Sequence, residues 1–291
     1  MREDQANSTA QHILAEARRA LAVAGIETAR LDAEVLLARA CGISRAMLIS
    51  SPPLLNPDLI RKFRRMVARR AEHEPLAYII GRKEFFSLDF EVTSAVLIPR
   101  PETETLVEEA LKFLAAREHP HILDIGTGSG AIAIAIAMNA LDAHVVASDI
   151  SEDALEVARH NAIRHRCDDR VEFVRADLFP IGETRFDLIV SNPPYVAEAD
   201  LETLQPEIRL HEPQVALTSG PDGLNFYRRI AAECRAHLKS DGAVMVEVGA
   251  GQASEVAALF RAAGFSNIDA VRDLARIERV IAARLAEHLD G

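Results

Sequence analysis

The 291-residue chain has no tryptophan and only three cysteines, Cys41, Cys167 and Cys234, which stand far apart and form no CxxC pair. An odd number at such spacing excludes a disulfide framework and a cysteine-rich zinc site. The ten histidines show no HxxxH or HxxE spacing, so we predict no metal site. Unpaired cysteines fit a reducing compartment, and we expect the protein to act in the cytoplasm.

Long hydrophobic runs are also missing. The apolar stretch from Ala131 to Leu141 is interrupted by Asn139 and is far shorter than the roughly 18 residues that a membrane helix needs. The first ten residues, MREDQANSTA, contain acids and no apolar core, unlike a secretory signal or a transit peptide. With 49% hydrophobic and 26% charged residues, the composition is that of a globular protein, and the length suggests two domains.

Positive charge is scarce in most of the chain. The net charge is −11, from 33 basic and 44 acidic residues, yet residues 1–80 hold 12 Lys or Arg against 9 Asp or Glu. The remainder is strongly acidic, which argues against a nucleic-acid substrate because such binding depends on cations that neutralise phosphates. A small basic region can still do this, and six basic residues lie between Arg61 and Arg70. We interpret that stretch as a solvated helix face, with contact to a protein or RNA partner as the alternative.

The spacing of apolar residues divides the chain into three parts. From Ser8 to about Arg70 they recur three or four apart, which predicts a small helical domain over residues 1–80. Residues 81–100 alternate apolar and polar as in a β-hairpin, and we interpret them as a connector. From 101 to 291 strands alternate with helices, which predicts an α/β fold with a parallel, Rossmann-like sheet. The predicted strands are 121–125, 144–149, 171–177, 186–192, 243–248 and 277–284, and IAIAIA at 132–137 is predicted to be a helix.

A glycine-rich turn, LDIGTGSG at 123–130, lies directly between a predicted strand and a predicted helix. Glycine permits a tight turn and lets a ligand approach the backbone, and the helix start offers free N–H groups, so this placement predicts a nucleotide-like ligand. The spacing is GxGxG, unlike the GxGxxG of dinucleotide folds, and Asp124 within it would repel a pyrophosphate. We therefore favour S-adenosylmethionine, whose sulfonium and ammonium groups are positive.

Two strand ends extend the predicted cofactor site. Asp149 ends the second predicted strand, where an acid can accept hydrogen bonds from both ribose hydroxyls. Capping of the following helix is the alternative role for Asp149. Asp177 ends the next strand in the same way, and Leu178 beside it is placed to pack against an adenine.

The motif NPPY, Asn192–Tyr195, ends the fourth predicted strand, where open α/β sheets bind their ligands. An amide or exocyclic amine is hard to methylate because its nitrogen lone pair is delocalised. Asn192 Oδ1 and the Pro193 carbonyl can each accept one N–H of the NH2 group and aim its lone pair at the methyl group. Pro194 stiffens the turn, and Tyr195 can stack on the planar group and stabilise developing positive charge. We predict Asn192, Pro193 and Tyr195 as catalytic residues, with no general base required.

Together these motifs resemble the HemK/PrmC family, the protein-glutamine methyltransferases that modify peptide-chain release factors. The resemblance covers most of the chain and rests on LIPRPETE (97–104), DIGTGSG (124–130), Asp149, SNPPY (191–195) and EPQVALTSGPDGLNFYRRI (212–230). It implies methyl transfer from S-adenosylmethionine to the glutamine side-chain amide in the Gly-Gly-Gln motif of class I release factors. It also implies that the helical domain takes part in substrate recognition.

Site residues follow from the resemblance by matched position. The implied cofactor-binding residues are Gly126, Thr127, Gly128, Ser129, Gly130, Asp149 and Asn192, and the residues implied to hold the glutamine are Asn192, Pro193, Pro194 and Tyr195. Leu178 departs from the pattern, since some family members place an aromatic residue there against the adenine. RPETE is interpreted either as a helix start led by Pro101 or as an active-site segment that contributes Arg100.

Two alternatives to this function stand beside it. A DNA or RNA amino-methyltransferase would use NPPY equally well, but it would need a target-recognition region and a basic cleft, and neither is evident in the sequence. A regulator that only binds the cofactor would keep the glycines and gain nothing from NPPY. We expect a monomeric enzyme whose partner is a class I release factor, with no membrane association and no nucleic-acid substrate.

Overall fold

A computed structural model describes the backbone of residues 2–285 and the side chains of residues 10–285. Contacts divide the chain into a helical unit, residues 1–81 and 205–211, and a sheet unit, residues 82–204 and 212–291. The outermost residues of the predicted domains, Met1 and 286–291, lie outside the described residues.

The helices are α1 (Arg2–Val23), α2 (Ala29–Cys41), α3 (Arg45–Ser50), α4 (Pro57–Ala71), α5 (Leu76–Ile80), α6 (Glu104–Leu114), α7 (Ala131–Asn139), α8 (Glu152–His165), α9 (Pro206–His211), α10 (Asn225–His237) and α11 (Ala253–Ala262). The strands are β1 (Arg82–Phe85), β2 (Leu88–Glu91), β3 (His121–Ile125), β4 (His144–Asp149), β5 (Val171–Arg175), β6 (Phe186–Ser191), β7 (Leu238–Glu247), β8 (Phe265–Arg272) and β9 (Glu278–Leu285). Short 3-10 turns lie at Pro101–Thr103, Glu198–Thr203 and Gln214–Ala216.

Local sequence signals set the helix ends in the helical unit. Asn56 caps α4 by accepting a hydrogen bond from the backbone N–H of Leu59 at 2.9 Å, and Pro57 takes the first helical position. Gly42 and Gly81 end α2 and α5 in the left-handed conformation that glycine adopts without strain. The apolar faces of these helices pack into one core, which includes Leu21, Leu36, Leu37 and Phe63.

Arg70 lies in a buried ion-pair cluster of the helical unit. Its Nε donates to Asp32 Oδ2 at 2.7 Å, and its Nη2 donates to Glu207 Oε1 at 2.5 Å. The side chains of Arg70 and Asp32 are only 4% and 3% exposed. Glu207 belongs to α9, so the segment 205–211 packs with the helical unit although it lies between elements of the sheet unit in the sequence.

The other basic residues of α4 are exposed, and several of them are paired with acids of the same unit. The pairs are Arg61 with Asp58, Arg64 with Glu16 at 3.3 Å, and Arg69 with Glu74 at 2.6 Å. Exposed pairs of this kind add little stability, but they offset the positive charge of the helix. The structure therefore favours a solvated helix face for five of the six basic residues of the Arg61–Arg70 stretch, whereas the interpretation is wrong for the buried Arg70.

The sheet unit is built on seven strands in the order β5-β4-β3-β6-β7-β9-β8. The first five are parallel, and β9 runs antiparallel to both of its neighbours. The chain moves outward from β3 through β4 and β5, then returns to place β6 on the other side of β3. Such a change of direction opens a crevice at the carboxyl ends of the two central strands. The predicted Rossmann-like α/β fold is confirmed. Open α/β sheets bind their ligands in such a crevice.

Secondary structure agrees with the sequence pattern at most positions. The six predicted strands, the hairpin β1–β2 and the helix at IAIAIA are all confirmed, although β7 begins at Leu238 and not at Ala243. The sequence pattern did not predict β8. This strand lies at the sheet edge with most of its side chains exposed, so the alternation of apolar and polar residues that marks a half-buried strand is absent.

Replacing Arg70 by Met should destabilise the helical unit. The substitution leaves the Asp32 carboxylate buried without its cation, and breaking a buried pair in this way costs about 3–5 kcal/mol. Arg65→Met, an exposed site on the same helix, is the matched control and should change the free energy of unfolding by about 0.5 kcal/mol or less. Urea unfolding followed by circular dichroism measures both variants, and equal losses would show that the buried cluster does not stabilise the unit.

Candidate active site

The glycine-rich loop after β3 is shaped by backbone hydrogen bonds to β4. The N–H groups of Gly126 and Thr127 both donate to the carbonyl of Ser148, at 2.8 and 2.9 Å. Gly126, Gly128 and Gly130 have φ of 70°, 55° and 80°. Residues other than glycine adopt this region only with strain. The loop therefore turns sharply at the end of β3, with its glycine backbone at the crevice.

Asp124 holds this loop from below. Its Oδ2 accepts hydrogen bonds from Thr127 Oγ1 at 2.6 Å and from the backbone N–H of Ala133 at 3.2 Å. The carboxyl is fully buried, and burial, with a smaller contribution from the charge of Asp149, raises its pKa to about 7. Asp124 thus organises the loop from beneath the site. It would attract a positively charged ligand only across the loop.

A cavity of about 230 Å³ opens beside the loop, within the sheet unit. Seven of the predicted site residues line it: Gly126, Gly128, Asp149, Asp177, Leu178, Asn192 and Pro194. The other predicted residues, Thr127, Ser129, Gly130, Pro193 and Tyr195, lie outside the lining. Thr127 and Ser129 are buried in the loop, and Gly130 begins α7, so these residues shape the site from behind.

Part of the cavity wall was not predicted from the sequence. Ala95, Val96 and Leu97, which follow the hairpin, line one side, and Pro213, Val215, Ala216, Phe226 and Arg229 line another. Arg229 pairs with the predicted Asp177 at 2.9 Å. Neither segment ends a predicted strand. Leu97 and the residues from Pro213 to Arg229 fall inside the family-like stretches 97–104 and 212–230, whereas Ala95 and Val96 fall outside them.

Ser151 caps α8 by accepting from the N–H of Ala154 through Oγ at 3.2 Å, so the capping role does not fall to Asp149, which lies in the cavity wall. Asp149 Oδ1 accepts from the N–H of Ser151 at the start of α8, and its Oδ2 accepts from the N–H of Gly128, both at 2.9 Å. Each carboxylate oxygen has a further lone pair, so hydrogen bonds to ribose hydroxyls remain available. Leu178 lines the same cavity at φ 70°, and its carbonyl accepts from Ser148 Oγ at 2.7 Å. A leucine at positive φ is strained, so the contacts around Leu178 must hold it in this conformation.

Asn192 is positioned from two sides. The preceding residue, Ser191, donates from Oγ to the carbonyl of Ile125 at 2.8 Å, which ties the end of β6 to the end of β3. Asn192 Nδ2 donates to Thr103 Oγ1 at 3.1 Å, so the acceptor Oδ1 is the end of the amide not bound to Thr103. The RPETE segment is therefore a helix start that also contacts the NPPY motif through Thr103. Arg100 pairs with Glu212 at 2.6 Å.

Gln252 holds the far end of the NPPY motif. Its Nε2 donates to the carbonyl of Tyr195 at 3.0 Å, and its Oε1 accepts from the N–H of Gly249 at 3.1 Å. The Tyr195 ring packs against the apolar core of the sheet unit, and burial raises the pKa of its phenol to about 12. Tyr195 is thus a neutral aromatic surface with a fixed backbone.

The cavity fits an adenosyl ligand. A Cβ added to Gly126 or Gly128 would meet no protein atom within 4 Å, so a ligand can approach the loop backbone there. The carboxylate of Asp149 suits hydroxyl donors, and Leu97, Ile150 and Leu178 offer apolar surface for a base. Among the described residues, no cluster of three or more His, Cys, Asp or Glu is placed to hold a metal ion, and no helix is long and apolar enough to cross a membrane.

Fold, loop and NPPY turn together define an S-adenosylmethionine-dependent methyltransferase. Residues 12–81 match the PrmC N-terminal domain, and residues 103–221 match the methyltransferase small domain. The chain is 46% identical to the release factor glutamine methyltransferase of Geobacter sulfurreducens over 282 residues, which cover 95% of this chain and 97% of the relative. It is 41% identical to that of Agrobacterium fabrum over 283 residues, 96% of this chain and 98% of the relative. The chain belongs to the release factor glutamine methyltransferase family.

Solved structures show the same fold at greater distance. The catalytic domain of hMettl16, in complex with the MAT2A 3'UTR hairpin 6, superposes with a TM-score of 0.58. The match covers 75% of this chain and 81% of that one at 15% sequence identity. At this identity the likeness concerns the fold alone.

Gly128→Ala and Gly130→Ala should separate cofactor binding from folding. Both residues have positive φ, so each variant carries a strain of about 1–2 kcal/mol. At Gly128 the new methyl group would point into ligand space, and we expect at least a tenfold weaker affinity for S-adenosylmethionine. At Gly130 it would meet Ile134 Cδ1 at 2.9 Å and Ala158 Cβ at 3.2 Å, which adds about 1–3 kcal/mol of destabilisation. Calorimetric titration and thermal unfolding measure the two effects, and the reverse pattern would contradict this assignment.

Gly223→Ala should disturb the end of the NPPY motif. A Cβ at Gly223 would lie 2.4 Å from the Tyr195 carbonyl and 2.9 Å from Gln252 Nε2. Gly251→Ala is the matched control, since Gly251 has a similar φ but no atom within 4 Å of the added Cβ. We expect Gly223→Ala alone to lower kcat, by about 10²-fold. Steady-state kinetics on both variants check this, and equal rates would show that the contact is easily relieved.

Proposed function

We propose that this chain transfers the methyl group of S-adenosylmethionine to the side-chain amide nitrogen of the glutamine in the Gly-Gly-Gln motif of class I release factors. Membership of the release factor glutamine methyltransferase family supports this proposal. The structural observation that carries it is the amide of Asn192, which lines the cavity while its Nδ2 is engaged by Thr103. The acceptor Oδ1 is then the end of the amide available to an incoming NH2 group.

The protein contributes to this reaction chiefly by positioning the acceptor amide. Bound S-adenosylmethionine supplies an electrophilic methyl group on a sulfonium. Departure of the sulfur as a neutral thioether drives the transfer. Asn192 Oδ1 and the Pro193 carbonyl accept the two N–H groups of the glutamine amide and draw its nitrogen towards pyramidal geometry. As the N–C bond forms, positive charge grows on the nitrogen, and these acceptors with the Tyr195 ring stabilise it more than they stabilise the neutral amide. The spare proton then passes to solvent.

The cavity lining separates predicted cofactor residues that would contact the cofactor from those that act indirectly. Gly126 and Gly128 offer their backbone to the cofactor, Asp149 accepts from ribose hydroxyls, and Leu178 packs against the adenine. Thr127, Ser129 and Gly130 act indirectly, by holding the loop in its turned conformation. Pro194 lines the cavity and restricts Pro193, whose carbonyl receives the substrate.

Further features of the function belong to the same proposal. We propose that the enzyme acts in the cytoplasm as a monomer, that release factors are its only macromolecular substrate, and that the helical unit takes part in recognising them. The acidic composition of residues 81–291 supports the exclusion of nucleic acid, because phosphate binding needs cations. The paired charges on α4 support it in the same way.

Radiolabelled S-adenosylmethionine provides the test. The purified enzyme is incubated separately with a class I release factor, with its Gly-Gly-Gln variant in which Gln is replaced by Ala, and with a DNA and RNA pool. We expect label on the intact factor only. Asn192→Ala should lower this rate by about 10²- to 10³-fold, since a transition-state contact is lost, whereas Asn267→Ala, on the exposed face of β8, should leave it unchanged.

Other outcomes decide against parts of the proposal. Label on nucleic acid would show that NPPY serves an exocyclic amine and that the proposed substrate is wrong. Absence of label on every substrate, with cofactor binding retained, would favour the cofactor-binding regulator.

A further inference from the structure

We propose that Thr103 is a positioning residue which, backed by Glu247, fixes the orientation of the Asn192 amide so that Oδ1 and not Nδ2 faces the acceptor nitrogen. The three residues are called the relay below. The proposal rests on the proposed function in one respect: the acceptor must present an NH2 group.

The first link of the relay is a hydrogen bond between distant parts of the sheet unit. Asn192 Nδ2 donates to Thr103 Oγ1 at 3.1 Å. Thr103 is 4% exposed and lies in the 3-10 turn Pro101–Thr103, where its own N–H donates to the carbonyl of Arg100 at 3.1 Å. The turn leads directly into α6, so the hydroxyl is held by a rigid element.

The direction of this hydrogen bond matters because a threonine hydroxyl can act either way. It has one proton to donate and lone pairs to accept with. If it donated to Asn192, the side-chain amide would present Nδ2 to the substrate. Two donors would then face each other, and the glutamine NH2 would lose an acceptor. Correct orientation therefore requires that the Thr103 proton be occupied elsewhere.

We assign that role to Glu247. This residue ends β7, is 1% exposed, and its interaction with Thr103 lowers the pKa of its carboxyl. An ionised carboxylate can only accept, so Thr103 must donate to Glu247 and is left to accept from Asn192. A protonated carboxyl would be a donor itself and would release the Thr103 proton towards Asn192.

The surroundings of Glu247 make this switch dependent on pH. Burial raises the pKa of Glu247 to about 7, opposed by Thr103, Arg279 and Arg100 and assisted by Glu102. The phenols of Tyr195 and Tyr227 also face it, and the pKa of each is raised above its ordinary value, chiefly by burial, so both stay neutral near pH 7. The correctly oriented fraction of Asn192 should therefore rise as pH rises through about 7.

Folding alone gives little reason for a glutamate at this position. Glu247 Oε2 is buried and has no hydrogen-bond partner among the described residues. A buried acid with an unsatisfied oxygen lowers stability, and an apolar residue of similar volume is often neutral or stabilising in its place. The proposed action on Thr103 accounts for a carboxylate at this buried position.

Four variants test the relay: Thr103→Val, Thr103→Ser, Glu247→Leu and the double variant Thr103→Val/Glu247→Leu. We expect Thr103→Val and Glu247→Leu each to lower kcat by roughly tenfold or more, with the KM for S-adenosylmethionine and the unfolding temperature nearly unchanged. Thr103→Ser keeps the hydroxyl and should stay within about threefold of the wild type. The double variant should lose no more than the worse single variant, because residues that act through one contact are not additive.

The pH profile separates the relay from a merely structural role. The rise of kcat through about pH 7 should be present in the wild type and Thr103→Ser and should flatten in Glu247→Leu. Asp124, whose pKa is also raised to about 7, is common to all variants and cannot produce this difference. Full activity in Thr103→Val, or kinetic losses that follow losses of stability or cofactor affinity, would overturn the proposal.

A measurement without turnover keeps the relay testable if the proposed substrate is wrong. With 15N-labelled asparagine, the Asn192 NH2 signal is assigned by its loss in Asn192→Ala. We expect this signal to shift with a midpoint near pH 7 in the wild type and Thr103→Ser and to stay fixed in Glu247→Leu. A signal that titrates identically in Glu247→Leu would refute the relay whatever the enzyme methylates.

Discussion

The parallel pairing of β3 with β6 is the constraint on which the site depends. Ile125 lies opposite Ser191 in the register, and the Ser191 hydroxyl donates to the Ile125 carbonyl at 2.8 Å. Both strands end at this point, so the next residues, Gly126 and Asn192, leave the sheet side by side. The chain order changes direction here, no connection crosses the crevice, and a ligand can enter. The glycine-rich loop and the NPPY motif meet because the register of β3 with β6 places the two strand ends side by side.

Two buried carboxyls then organise what the register brings together. Asp124 accepts a hydrogen bond from Thr127 of the glycine-rich loop, and Glu247 is the residue proposed to act on Thr103. Burial raises the pKa of each to about 7, so each opposes folding increasingly as pH rises from its ordinary value towards 7. Asp124 holds the loop through its hydrogen bonds to Thr127 and Ala133, and the role proposed for Glu247 is to hold Thr103 in a comparable way.

Strands buried on both faces and motifs at their ends were predictable from the sequence. β3 and β6 are short, mainly apolar and almost entirely buried segments followed by GxGxG and NPPY, and this local pattern needs no tertiary information. The exposed edge strand β8 and the wall segment Ala95–Leu97 were not predictable. Neither has a periodic apolar face or a turn signal, and Ala95–Leu97 gains its role only from folding against the loop.

The sequence by itself determined the α/β class, the glycine-rich loop, the NPPY turn and the family to which the chain belongs, because each depends on contiguous residues. Tertiary structure alone decided that α9 packs with the helical unit and that Thr103 binds the Asn192 amide. The reason is physical: a side-chain hydrogen bond between residues far apart in sequence depends on backbone paths that meet only after folding. No local spacing encodes that meeting.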